Sequence, residues 1–259
     1  MKQPPSHFML IAGEPSGDML AAELVHALKQ ALSAHPQSAL RHPQFFGAGG
    51  AKMTEAGVQL AFDMTQHSVI GLWEAAKHYG KFKQLRDRLV ELALERRPDV
   101  IVCVDFSVFN HDFARKLRWE LEVRRATHGT WKPTIVKYVS PQVWASRPGR
   151  AKTMERDFDL LLTIFPFEKA WFAERVPNLR VEFVGHPMVE RYANAECGMR
   201  NAESIDAPVA VLLLPGSRTG ELKRHLPPML GAAERIRTAM PGVQFLMVLP
   251  NESLATLAR

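Results

Sequence analysis

Short apolar runs alternate with longer amphipathic stretches along this chain. His7 to Ala12, Val100 to Val104, Ile135 to Val139, Leu160 to Ile164, Val209 to Leu214 and Phe245 to Leu249 each read as a run of strand length. Such runs suit parallel strands covered on both faces, because a strand with one wet face alternates apolar and polar residues. A further strand is expected to end with Phe45 and Phe46, just before the turn Gly47-Ala48-Gly49-Gly50. Between the strands, Phe82, Leu85, Leu89, Leu92 and Ala93 recur at helical spacing, with Lys83, Arg86, Arg88 and Arg96 on the polar face. Asp18 stands where it would cap a helix running through Met19 to Ala31.

Strand, loop and helix in this alternation predict an α/β architecture, doubly wound, with right-handed crossovers laying helices on both sides of a parallel sheet. In such folds ligands bind beyond the carboxyl ends of the strands. That rule directs attention to the loops after Ala12, Val104, Val139 and Leu214. The stretch Met188 to Pro208 is polar and lacks apolar periodicity, so residues 188–207 read as a linker between a domain at 1–187 and a second at 208–259. After Pro208 a strand, a helix and a strand are expected, about one βαβ unit and too little for an independent core. The expectation is a fragment, or a unit that a partner covers.

Charge narrows the partners. Among 259 residues, 33 Lys and Arg outnumber 27 Asp and Glu, giving a net charge of +6 and a pI of about 9.5. Such a field favours anionic partners. No RNA-binding or zinc-finger signature accompanies it, so nucleic acid is not expected. Cys103 and Cys197 stand apart with no CxxC and no Cys/His cluster, against a disulfide framework or structural zinc and in favour of a reducing cytosol. The apolar run Phe8 to Ala12 is too short for a signal-peptide core, and no run reaches the length of a membrane span.

Several loops carry candidate chemistry. Gly13-Glu14-Pro15-Ser16-Gly17-Asp18 leads from strand to helix, where free N–H groups meet oxygen-rich ligands. It lacks the Gly-Lys-Ser/Thr ending of a P-loop, and Glu14 and Asp18 would repel a bare phosphate. A turn with an N-cap and a sugar-hydroxyl site built on Glu14, Ser16 and Asp18 both remain open. Gly47 to Met53 resembles a dinucleotide fingerprint only loosely and reads better as a close-packed turn. Val69, Ile70, Leu72 and Trp73, followed by Lys77, Lys81, Lys83, Arg86 and Arg88, fit either contact with an anionic membrane or acyl chain, or a plain core segment.

Asp105 ends an apolar strand, placed to be partly desolvated and to act as a general base toward a substrate hydroxyl. Asn110, just beyond it, is a candidate substrate contact, and helix capping is the alternative for both. In Ser140 to Arg150, Ser140 is a candidate substrate contact, Trp144 offers a flat face, and the guanidinium groups of Arg147 and Arg150 suit a phosphate unless they are merely solvated. Phe165-Pro166-Phe167-Glu168 reads as a turn, and His186, with no ligand-spaced companions, as a packed or hinge histidine. In Pro215-Gly216-Ser217-Arg218, the backbone N–H groups of Gly216 and Ser217 beside Arg218 suit a diphosphate.

In order along the chain, Ala12-Gly13-Glu14-Pro15-Ser16-Gly17-Asp18, Gly47-Ala48-Gly49-Gly50 with Met53, Val69-Ile70-Gly71-Leu72 with Glu74, Asp105 with Phe109-Asn110, Tyr138 through Ala145, Pro166-Phe167-Glu168, Val184-Gly185-His186-Pro187 and Leu213 through Arg218 together resemble the lipid-A-disaccharide synthase family of glycosyltransferases. The resemblance implies a GT-B-like fold of two Rossmann-like domains, the first facing acceptor and membrane and the second binding the donor. It implies transfer of diacylglucosamine from UDP-2,3-diacylglucosamine to 2,3-diacylglucosamine 1-phosphate, with inversion to a β-linked disaccharide 1-phosphate and release of UDP. Asp105 would be the base and Arg218 would steady the departing diphosphate. No metal or other cofactor is implied; the implied partners are the two lipids, the cytoplasmic face of the inner membrane and a second copy of the chain.

This sequence departs from the family pattern in two places. Phe106-Ser107-Val108 stand where the family commonly has a small residue, Pro and a second Asp, and Ser146 stands where a second Trp is common. The family also continues through a longer second domain. A degenerate, non-catalytic protein that binds acylated sugar phosphates is therefore the alternative, and a UDP-sugar epimerase-like enzyme a more remote one.

Overall fold

The computed structural model describes residues 5–34, 43–65, 79–129, 131–189, 209–250 and 252–259. The chain divides into two compact units, Met1–Ala195 and Glu196–Arg259. Most of the expected linker, 190–207, lies outside the described residues.

The first unit is built on β1 (His7–Ala12), β2 (Gln44–Gly49), β3 (Gln59–Asp63), β4 (Val100–Val104), β5 (Thr134–Tyr138), β6 (Leu160–Thr163) and β7 (Arg180–Phe183). They form one parallel sheet in the order β3-β2-β1-β4-β5-β6-β7. Its helices are α1 (Pro15–Ser33), α2 (Ala51–Glu55), α3 (Tyr79–Arg96), α4 (Ser107–Val123), α5 (Arg125–His128), α6 (Val143–Ser146), α7 (Ala151–Asp157) and α8 (Pro166–Arg175). The apolar runs bury both faces of the central strands. Phe8, Leu10, Val102 and Val104 pack with Ala21 and Val25 of α1 and Met53 of α2. Met9, Ile11, Ile101, Cys103 and Ile135 pack on the other side with Leu89 of α3, Phe113 and Leu117 of α4, Met154 of α7 and Phe172 of α8. Strand order runs outward from β1 to β3, then restarts at β4 on the other side of β1, which makes the β1/β4 boundary a topological switch point.

Several sequence expectations need correction. Asp18 does not cap its own helix: α1 already starts at Pro15, with Glu14 as N-cap and the proline's missing N–H harmless in the first turn. Gly47 to Gly49 belong to β2 rather than to a turn. At Gly47 φ is 149°, and a Cβ would collide with the carbonyl of Leu10 on the neighbouring strand, so only glycine permits that approach. β3 and β7 were not expected because each lies at a sheet edge, where half-covered strands such as Arg180–Phe183 retain polar residues. The run at β5 contains Lys137, which is 0% exposed. The polar face of α3 is partly internal: Arg86 is largely buried and bonds Asp87 and Asp112 at 2.6 Å each. Arg88 lies 5.3 Å over the ring of Phe62 and Arg96 5.0 Å over Phe46.

In the second unit β8 (Ala210–Leu213) and β9 (Gln244–Met247) pair in parallel, joined by α9 (Thr219–Ala239) and followed by α10 (Glu252–Ala258), a helix absent from the expected strand, helix and strand. Exposure alternates along both strands, with Leu212 and Leu246 on the exposed positions.

Candidate functional site

Because β1, β4 and β5 are neighbours, the loops that follow them share one edge of the sheet. The first two meet at the switch point. A Cβ on Gly13 would run into the ring of Phe106, and one on Gly17 would stand 3.7 Å from the Cβ of Asp105. Glycine at position 13 lets the loop close against Phe106, and at Gly17 the approach to Asp105 is an ordinary van der Waals distance. Around the contact, Glu14 is half-buried and Ser16 is exposed.

Asp105 and Phe106 turn the chain out of β4 with φ of 43° and 40°, the left-handed region that a non-glycine residue enters at a cost of roughly 1–2 kcal/mol. Four hydrogen bonds hold that bend. The Asp105 N–H donates to the Tyr138 carbonyl at 2.6 Å, and the Asn110 N–H to the Phe106 carbonyl at 3.1 Å. The Asp105 carbonyl accepts from Asn110 Nδ2 at 2.8 Å and from Lys137 Nζ. The Phe106 ring stacks on Phe109 at 5.4 Å and meets Phe82 at 6.2 Å. The Asp105 side chain itself is half-buried, and among the described residues its carboxylate accepts no hydrogen bond. A carboxylate whose main chain is fixed while its oxygens stay uncommitted suits proton abstraction.

Three residues expected to face substrate are instead closed into the fold. Asp18, 4% exposed, accepts N–H bonds from Gly50 at 2.7 Å, Lys52 at 2.9 Å and Met53 at 3.1 Å. Its carboxylate therefore caps α2 and fills the place where a dinucleotide fingerprint would hold phosphate. Asn110, 0% exposed, ties α4 back to the end of β4 through the carbonyls of Val104 and Asp105. Ser140, 4% exposed, turns its hydroxyl to the Pro141 carbonyl.

After β5 the chain presents Trp144. Its Nε1 donates to Glu168 Oε1 at 3.2 Å, and its ring stands edge-on to Phe167 at 4.9 Å. Glu168 is fully buried and its other oxygen accepts the Phe165 N–H at 3.1 Å. The expected turn at Phe165 to Glu168 is thus the capped start of α8, and it fixes the indole. Phe165 also lies 5.9 Å from His186, whose Nδ1 accepts the Met188 N–H at 3.2 Å. Arg147 and Arg150 are exposed and make no ion pair among the described residues.

In the second unit the loop after β8 is occupied by the chain's own acid. Glu221, in the first turn of α9, accepts the Ser217 N–H at 2.9 Å and Arg218 Nη1 at 3.2 Å. The Ser217 backbone bond, followed by the Arg218 guanidinium, holds its carboxyl below the ordinary glutamate value. Gly216 has φ of 127°, and a Cβ there would press on Glu221. His225 bonds the Pro215 carbonyl at 2.9 Å.

Glu221 and Lys137 have no place in the sequence analysis, and Glu168 appears there only within a turn motif. A lysine inside an apolar strand run was the available signal for Lys137, and an acid four residues after Ser217 the signal for Glu221. Val69, Ile70, Leu72 and Trp73 lie outside the described residues. Among the described residues no helix is long and apolar enough to cross a membrane.

Residues 8–258 match the family model for lipid-A-disaccharide synthetase. The lipid-A-disaccharide synthase of Myxococcus xanthus is 38% identical over 95% of this chain and 59% of its own length. That of Geobacter sulfurreducens is 34% identical over 97% of this chain and 61% of its own length. The chain thus spans about three fifths of the curated relatives it matches. Among solved structures, UDP-GlcNAc 2-epimerase from Neisseria meningitidis shares the fold with a TM-score of 0.58 at 8% identity, covering 97% of this chain and 68% of that one. A putative UDP-N-acetylglucosamine 2-epimerase from Listeria monocytogenes does so with 0.55 at 11% identity, covering 98% and 66%. The expected α/β, GT-B-like fold class is the one the chain adopts. Matched by one family model over nearly its whole length, the chain belongs to the lipid-A-disaccharide synthetase family.

Proposed function

We propose that this chain carries the acceptor side, 1–187, and the beginning of the donor side, 208–259, of an inverting glycosyltransferase. The reaction joins UDP-2,3-diacylglucosamine to 2,3-diacylglucosamine 1-phosphate. The acceptor's primary hydroxyl attacks the donor's anomeric carbon, the proton passes to Asp105, and the electron pair of the breaking bond leaves on the diphosphate of UDP. The observation that carries the reading is Asp105, half-buried at the switch point with its main chain bonded and its carboxylate uncommitted.

Glu14 and Ser16 line the acceptor side in this proposal, with Trp144 as an aromatic wall and Arg147 and Arg150 toward the acceptor phosphate. Arg218, with the N–H groups of Gly216 and Ser217, takes the donor diphosphate once it exchanges the Glu221 carboxylate for it. Val69, Ile70, Leu72 and Trp73 rest on the cytoplasmic face of the inner membrane or hold acyl chains.

The test is product analysis. The 259-residue chain, in detergent with both lipids, is expected to form UDP and a disaccharide 1-phosphate in equal amounts, with a β linkage by proton NMR. Absence of disaccharide, or an α linkage, would overturn the reading.

A further inference from the structure

Lys137 has no part in the reaction as proposed, yet it is among the largest wholly buried side chains of the molecule. It is the fourth of the five residues of β5, in register with Cys103 on β4. A lysine enclosed this way, without a carboxylate hydrogen-bonded to it, is expensive to keep, and apolar residues occupy the equivalent positions around it. Its ammonium points along the sheet to the carbonyl of Asp105, the acceptor that Asn110 Nδ2 also uses. Two donors from different elements, β5 and α4, therefore converge on one carbonyl at the first of two left-handed residues.

We propose that Lys137 is a positioning residue: its amine and the Asn110 amide clamp the Asp105 carbonyl and hold the left-handed bend that aims the Asp105 carboxylate out of the sheet. The inference rests on Asp105 being the base. Among the described residues the titratable groups that act on Lys137 are Cys103 and Asp105, and burial pushes its amine down to about 8. Burial likewise pushes the Cys103 thiol up to about 12, so that neighbour stays neutral and the ammonium's charge is directed to Asp105. A charge-assisted bond to the carbonyl weakens once the amine loses its proton.

The test compares the full chain with Lys137→Met, close in length and apolar. Loosening the bend is expected to lower kcat about 10- to 100-fold, as an ångström-scale misplacement does, while KM for either lipid stays within about twofold. Hydrogen exchange of the Asp105 amide, bonded to Tyr138, is expected to speed up about tenfold or more, with the amides of Val102 and Val136 unchanged. In the unaltered protein the Asp105 amide NMR shift is expected to follow the Lys137 titration, a readout that holds even if the variant folds poorly. An Asp105 amide equally protected in Lys137→Met, or insensitive to the Lys137 titration, would overturn the clamp. Faster exchange with unchanged kcat would overturn its link to turnover. Full turnover in Asp105→Asn would instead remove the base assignment and leave the exchange result standing.

Discussion

Gly13 shows how one residue decides whether the site can form. The loop after β1 passes so close to Phe106 that any side chain must displace the ring. Gly13→Ala is expected to destabilise the fold by about 1–3 kcal/mol, as overpacking does, and to disturb the Phe82, Phe106 and Phe109 cluster. A urea midpoint equal to that of the parent would contradict the packing. Lys137 carries the opposite lesson, a stability cost kept at a functional edge. Its amine titrates near 8 in the fold and at the ordinary 10.5 when unfolded. Between those values the unfolded chain binds the extra proton, so stability rises with pH there, and the burial cost is complete below about 8. Lys137→Met is therefore expected to be more stable than the parent at pH 7 by on the order of 3 kcal/mol, a gap that closes toward pH 10.5. A gap that does not change with pH would show that burial of the charge is not its source.

Between elements, the joints are made by carboxylates rather than by apolar contacts alone. Asp18 fastens α1 to the start of α2 through three N–H groups. Asp18→Asn keeps one accepting oxygen and is expected to cost about 1–3 kcal/mol in denaturant unfolding. In the second unit Glu221 occupies the nest of Ser217 and Arg218 on an exposed surface, where solvent screens the pair. Glu221→Gln is expected to tighten UDP binding by up to about fivefold in calorimetry, since the diphosphate no longer competes with the acid. Weaker binding would mean that the carboxylate orders the loop instead. The same scale explains what the sequence made legible. The doubly buried strands β1 and β4 were readable to the residue, because burial on both faces demands continuous apolar side chains. The edge strands β3 and β7 were not, since solvent relaxes that demand. Asp18 was recognised as a cap but assigned to the wrong helix, because the N-terminus it serves lies 32 residues further on at Gly50, contact that only the parallel β1/β2 pairing creates.

At the scale of the molecule, strand order brings together what the sequence holds apart. The switch point unites the 13–18 loop with Asp105, some ninety residues away, and the β5 edge adds Lys137 and Trp144. The sequence placed Asp105 at the end of an apolar strand, as the fold has it; it did not reveal that Asp18, Asn110 and Ser140 face inward, because burial depends on which neighbour each strand takes. The net charge of +6 favours anionic surfaces, and Leu72→Ser with Trp73→Ser is expected to reduce sedimentation with anionic vesicles. Unchanged binding would exclude that patch as the anchor. The central claim, that Asp105 takes the acceptor's proton, is tested most directly by acceptor-dependent UDP release in Asp105→Asn. The account predicts a kcat lower by about 10²- to 10⁴-fold with acceptor binding and fold retained. Turnover within a few-fold of the parent would contradict it.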